Sequence, residues 1–231
     1  MNYIIWNNKN SQSINGLLIS ELPPISKPRM RVKETVIDGV DGSVIEELGY
    51  ESYDKTIAVG VKNGANIDSI IEYFTGNGEV IFSNEPNKYY RATIINGIDY
   101  ARLLRYRVAM VTFRVQPFKY ANGEVEIHTA GANQEMTVTN SGNYTAKPLI
   151  TIKGSGTVVL SVNKNMVCQY TFPNGEDTVM LDSEKQDAYL GSLLRNRKMY
   201  GNFPILEKGD NVISWSGTVE KISVKRYSRW L

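Results

Sequence analysis

The stretch "RYRVAMVTFRVQPF", residues 105–118, constrains the fold more than any other part of the chain. Ala109, Val111, Phe113 and Val115 fall on one side of a two-residue period, and Val108, Met110, Thr112, Arg114 and Gln116 on the other. Side chains of a strand alternate between faces, so the pattern predicts a long strand with one buried face. Pro117 has no N–H for a ladder and is expected to end it. Similar runs predict strands at residues 3–6, 17–22, 29–37, 53–62, 79–83 and 88–95. One segment has another period. In "NIDSIIEYFTG", Ile67, Ile70, Ile71 and Phe74 recur at i, i+3, i+4 and i+7, which predicts a short amphipathic helix lying on a sheet. Asn66 can cap its start, Asp68 and Glu72 suit the positive end of its dipole, and Gly76 suits a left-handed stop.

The second half reads as short strands at close spacing: residues 124–129, 136–140, 149–153, 158–163, 167–172, 178–182, 211–215 and 218–227, with a turn within "GSLLRNRKM". Turn residues punctuate them at Gly154-Ser-Gly156, Asn163-Lys-Asn165, Asn174-Gly175 and Gly209-Asp210. Many short strands with such punctuation predict a sandwich or jelly roll. The join falls at residues 119–122, giving domains 1–122 and 123–231. The expected fold class is mostly β: an α+β N-terminal domain, sandwich- or barrel-like with one short helix, then a C-terminal β-sandwich.

Composition narrows the function. The chain has 231 residues and a net charge of +2. Split at Gly123, each half is +1 (14 − 13 and 12 − 11), so neither is a concentrated positive surface for nucleic acid. The lone cysteine, Cys168, cannot form an internal disulfide. No apolar run approaches the roughly 18 residues that span a bilayer, and the first residues lack a signal-peptide pattern, so no membrane insertion is expected.

Motifs for chemistry are weak. "VIDGVDGSVIEELG" holds two Asp-Gly steps, Asp38-Gly39 and Asp41-Gly42. Taken as a calcium loop from Asp38, the third, fifth and twelfth positions are Val40, Gly42 and Gly49, none of which carries the side-chain oxygen expected there. No Gly-Lys-Ser/Thr follows, so the steps read as turn chemistry. Lys153-Gly-Ser-Gly-Thr157 lies between apolar strands and reads as a hairpin turn, not a phosphate cradle. His128 and Cys168 share no local motif, and Cys168 in "MVCQYTF" is expected to be buried and inert. Glu46-Glu47 and Glu176-Asp177 read as exposed loop doublets. Trp215 and Trp230 read as core or interface anchors before a sugar-stacking platform. "RYSR", residues 226–229, reads as a solvated edge or subunit contact. No catalytic residue, cofactor or metal is expected.

"INGLLISELPPISKPRMRVKETVIDGVDG", "YDKTIAVGV", "IDSIIEYFTGNGEVIFSNEPNKYYRATI" and "RLLRYRVAMVTFRVQPFKY" resemble the N-terminal domain of siphophage distal tail proteins, the Dit family. "KPLITIKGSGTVVLSVN", "VMLDSEKQDAY", "GNFPILEKGDNVISWSGTVEKISV" and the ending "SRWL" resemble that family's C-terminal galectin-like sandwich. The resemblance spans almost the whole chain and fits phages or prophages of Gram-positive hosts. It implies a structural, non-enzymatic hub at the virion tail tip, assembled in the host cytoplasm. It implies a homo-hexameric ring joining the tail tube protein to the tail-associated lysin or tip protein, in some phages carrying a receptor-binding protein. DNA would cross the channel without sequence-specific binding. With the family in view, Arg29, Arg31 and Lys33, with Asp38, Gly39, Asp41 and Gly42, are the candidate subunit-interface residues. The galectin sugar pattern, His-x-Asn-x-Arg followed by Trp-x-x-Glu-x-Arg, is not visible, since Trp215 is followed by Ser, Gly and Thr. A carbohydrate-binding module for host wall glycans and a wall hydrolase remain the competing classes.

Overall fold

The computed structural model describes residues 1–98, 103 and 105–231, so Arg102 and Leu104 of the matching stretch lie outside it. It is mostly antiparallel β-structure in two compact units, Met1–Asn122 and Gly123–Trp230.

The N-terminal unit contains β1 (Ile4–Trp6), β2 (Lys9–Asn10), β3 (Leu17–Glu21), β4 (Met30–Val36), β5 (Ser43–Tyr50), β6 (Tyr53–Val61), α1 (Ile67–Tyr73), β7 (Asn77–Phe82), β8 (Lys88–Ile94) and β9 (Val108–Ala121). Its main sheet runs β2-β1-β7-β8-β9-β6-β3, while β4 and β5 pair only with each other. On β9 the predicted alternation appears as burial, with Val111, Phe113 and Val115 inside and Arg114 and Gln116 outside. Pro117 does not end the strand. The β8–β9 register shifts between Tyr90 and Ala92, whose partners are Lys119 and Val115. The proline thus falls in a bulge where no ladder N–H is required.

Trp6 of β1 meets Phe113 of β9 with ring centroids 5.3 Å apart, although β7 and β8 lie between those strands. Neighbouring strands are about 4.8 Å apart, so a flat sheet would hold β1 and β9 about 14 Å apart. The sheet therefore curls around its core. Helix α1 closes it with Ile70 and Tyr73 buried. Asn66 caps α1 by accepting from the Ser69 N–H at 3.2 Å, and Gly76 lies just beyond at φ +89°.

The C-terminal unit contains β10 (Ile127–Ala130), β11 (Glu135–Asn140), β12 (Leu149–Val162), β13 (Asn165–Thr171), β14 (Thr178–Asp182), β15 (Asp187–Leu190), β16 (Leu193–Leu194), β17 (Met199–Gly201) and β18 (Gly209–Lys225). The anticipated turn in "GSLLRNRKM" is a 3-10 turn at Asn196–Lys198. Two expectations fail. Segments 149–153 and 158–163 lie almost wholly on one strand, β12, and 211–215 and 218–227 likewise on β18. Gly154-Ser-Gly156 is not a hairpin turn but an irregularity within β12, where the register with β18 shifts twice. Here the backbones approach closely. A Cβ at Gly154 would collide with Thr218 O, and one at Gly217 with Thr157 O. Glycine answers a crossing, not a reversal. The reversal comes later, at Asn163 and Lys164, both with positive φ.

Beyond that kink the long strands change neighbours. The first part of β12 pairs with β14 and the end of β18; its last part pairs with β13 and the start of β18. Strands that switch sheets at a bend make the corners of a sandwich. Both halves turn buried side chains, Ile150 and Ile152 then Val158, Leu160 and Val162, toward one apolar cluster with Ile213, Trp215, Ile222 and Val224.

Candidate assembly surface

β4 and β5 form an arm. Every residue from 31 to 49 is exposed, and none belongs to an apolar core cluster. An isolated two-stranded hairpin is marginal in water, because it has no third strand or helix on which to bury a face. Val32, Val36, Ile37, Val40, Val44, Ile45 and Leu48 are all exposed here. An accumulation of this kind marks an interaction surface.

The seven residues singled out from sequence all map to this arm or its root. The Arg29 carbonyl accepts from the Glu51 N–H at 2.9 Å, closing the base. Arg31 donates to Leu48 O across the pair at 2.9 Å, and Lys33 Nζ lies 3.7 Å from Glu46. Asp38-Gly39 forms the tip turn, with the Val40 N–H donating to Ile37 O at 3.2 Å and Gly39 at φ +82°. Asp41-Gly42 completes the reversal, with Gly42 at φ +89° and open space around both glycines. No oxygen cage forms. Among the described residues no group of three or more His, Cys, Asp or Glu side chains is placed to hold a metal.

The arm's apolar residues were not singled out from sequence. β5 in particular was not predicted, and Glu46-Glu47 was assigned to a loop although both lie on this strand. "SVIEELGY" pairs like with like, Val44 beside Ile45 and Glu46 beside Glu47, so no face is purely apolar. The available signal was the run of apolar residues at both parities between the Asp41-Gly42 turn and Gly49.

A well-built root carries the arm. Tyr50 packs edge-on against Phe118 at 5.9 Å. The strap from β3 into the arm is held by its carbonyls: Asn84 Nδ2 donates to Pro23 O at 3.0 Å, Lys55 Nζ to Pro24 O at 2.8 Å, and Tyr53 OH to Ser26 O at 3.4 Å. Lys55 is 2% exposed and sits near the rings of Tyr90, Tyr53 and Phe82. Burial lowers its pKa to about 8, Glu85 opposing and Lys119 adding to the shift. Glu85 accepts from Lys119 Nζ at 2.7 Å and Tyr90 OH at 2.5 Å. Burial pushes the Glu85 carboxyl upward, but those two hydrogen bonds outweigh it and hold it below its ordinary value.

Sites for chemistry do not come together. Cys168 is buried on β13, and burial pushes its thiol up to about 12, far from a reactive thiolate. His128 is exposed on β10, separated from β13 by β18 and β12 in the ladder. Glu176 is bound to Arg195, whose hydrogen bond holds its carboxyl below the usual range, the wrong direction for a general acid. A cavity of about 620 Å³ beside β3, lined by residues such as Gln12, Asn15 and Lys62, contains no carboxylate, histidine or cysteine side chain. Trp215 lies in the core, so it offers no sugar platform. "RYSR" is not a solvated edge: Ser228 and Arg229 are buried, Arg226 pairs with Glu124 at 3.1 Å, and Arg229 donates to Thr145 O. No helix among the described residues is long and apolar enough to cross a membrane.

Among the described residues the chain is a two-unit β protein with an exposed two-stranded arm. No protein-family model matches the sequence, and no curated protein matches it significantly. Among solved structures, the chain shares its fold with the Dit protein of phage SPP1, described as a paradigm of the hub adsorption apparatus in phages infecting Gram-positive bacteria. The identity is 14%, the TM-score 0.71, and the match covers 100% of both chains. Chains of the activated phage p2 baseplate, with calcium and with strontium, align over 97% of each chain at 8% and 10% identity, with TM-scores of 0.44 and 0.48.

Proposed function

We propose that this chain is the distal tail protein of a long non-contractile phage tail, a structural hub without catalysis. Its N-terminal units close a homo-hexameric ring around the DNA channel. The ring joins the tail tube protein to the tail-associated lysin or tip protein, and its C-terminal units offer a rim for receptor-binding proteins. Arg29, Arg31, Lys33, Asp38, Gly39, Asp41 and Gly42 act here as parts of the subunit contact. The fully exposed β4–β5 arm carries this reading. A head-to-tail contact uses two different surfaces per subunit and closes when the rotation returns to the start. The whole-length fold shared with SPP1 Dit supports it. Negative-stain microscopy and light scattering of the purified chain test it. Six-fold rings with a central hole are expected; a monomer that turns over or saturably binds wall polymer would replace it.

A further inference from the structure

Building on the ring reading, we infer that the acidic apolar face of the arm docks on a basic apolar patch at the far end of strands β6 and β9 of the next copy.

Cross-strand register defines the arm's faces. Glu34 opposes Ile45, Val32 opposes Glu47 and Val36 opposes Ser43. One face therefore carries three exposed aliphatic side chains with two carboxylates and no cation. The other face carries Arg31 and Lys33. Sequence sharpens the contrast: residues 34–49 contain Glu34, Asp38, Asp41, Glu46 and Glu47 and not one Lys or Arg.

The acceptor has the opposite character. Its described basic residues are Arg105 and Arg107, both exposed; Arg114 is paired with Asp54 and Lys119 is buried against Glu85, so neither belongs to the patch. Val108 and Met110 share the outward face of β9, 48% and 51% exposed. The Ile95 N–H donates to Thr112 O, and Asn96 Nδ2 donates to Met110 O at 2.9 Å, placing exposed Ile95 beside them. Exposed Tyr106 precedes them, with the Arg105 guanidinium over its ring at 5.4 Å. Complementary potential favours this pairing and disfavours arm against arm.

Position supplies the second argument. The arm's root lies at Tyr50 against Phe118, beside the Tyr53–Val115 end of the β6–β9 ladder. The acceptor lies at the other end, where Gly60 pairs with Val108. At about 3.4 Å per residue those ends are about 24 Å apart. Donor and acceptor at opposite ends of one strand pair are what a heterologous ring requires, and the exposure of residues 31–49 shows that the arm does not fold onto its own copy.

The test uses the full-length chain. Ile45→Cys with Met110→Cys, or Val36→Cys with Val108→Cys, is expected to give a ladder of disulfide-linked multimers up to six on a non-reducing gel, absent from each single variant. Glu34→Arg with Glu47→Arg, and separately Arg105→Glu with Arg107→Glu, are expected to shift the mass from ring toward monomer at least tenfold in midpoint concentration. Combining all four is expected to restore most of that shift, with circular dichroism confirming that every variant folds. A ring of normal mass, with no ladder from either cysteine pair and no rescue, overturns this docking and leaves the ring reading standing. A wild-type chain that stays monomeric at every concentration removes the ring and this docking with it.

Discussion

Lys55 donates from its ammonium to the Pro24 carbonyl at 2.8 Å, tying strand β6 to the strap that leads into the arm. The link couples a buried charge to the root of the proposed assembly surface. It also gives the N-terminal unit a distinctive pH response.

Below pH 8 the folded protein carries a charged, buried Lys55 whose pKa has been lowered to about 8. Between pH 8 and about 10 the unfolded chain binds more protons at this lysine than the folded one, so stability rises with pH. Tyr53, pushed up to about 12 by burial, and Tyr90, also raised by burial, reverse the trend above about pH 10, where unfolded tyrosines ionise first. Urea denaturation across pH 7–11 is expected to show a maximum near pH 10. Lys55→Met is expected to flatten the rise, which on this shift is on the order of 3 kcal/mol. A wild-type profile already flat from pH 8 to 10 counts against the assignment.

Removing Glu85 leaves Lys119 charged and without its carboxylate at a site where both side chains are under a tenth exposed. Glu85→Ala is expected to cost about 3–5 kcal/mol, and adding Lys119→Met is expected to recover most of it. Since the Glu85 carboxyl is held below its ordinary value, its contribution is present above the unfolded carboxylate range and is lost on acidification. A double-mutant cycle measured at pH 7 and pH 4 checks both parts.

Replacing residues 31–49 with a short turn removes no core side chain. The trimmed chain is expected to keep its far-ultraviolet circular dichroism per residue and melt within a few degrees of the parent, yet to remain monomeric by light scattering. Retention of the parent's assembled mass would show that the arm is dispensable for assembly.

Gly217 has φ +102° and no room for a Cβ, whereas Gly156 has φ +68° and open space. Gly217→Ala is expected to destabilise the C-terminal unit by about 1–3 kcal/mol from strain alone, more once the clash with Thr157 O is added. Gly156→Ala is expected to fall at the low end of that range. Thermal melts of the two variants rank them.

Cys168 is buried and its thiol is raised to about 12. An aromatic disulfide reagent at pH 8 is expected to leave it unmodified in native protein and to titrate one thiol in denaturant. Rapid native labelling would contradict the burial.

Much of this structure was legible where burial is one-sided. β9 shows it best, since Val111, Phe113 and Val115 face a core and their neighbours do not. α1 was legible for the same reason, with Asn66 marking its start. Where the chain crosses itself, local pattern misleads. The glycines near Gly154 and Gly217 look like turn residues, but their cause is a strand passing close by, tens of residues away in sequence. The arm was half legible: its Asp-Gly tip could be read, while β5 could not, because a strand with no buried face in its own subunit carries no alternation to detect. The ionic knot at Glu85 was invisible, because its buried partner Lys119 lies 34 residues away and only folding brings the two together, although Lys88 and Tyr90 are near in sequence.

β12 and β18 each run through the kink and lend a half to both layers of the C-terminal unit. The two layers are thus stitched by continuous peptide bonds rather than only pressed together by side chains. Shearing one layer past the other would mean dragging the same backbone in two directions. A load entering through one layer travels into the other along the main chain.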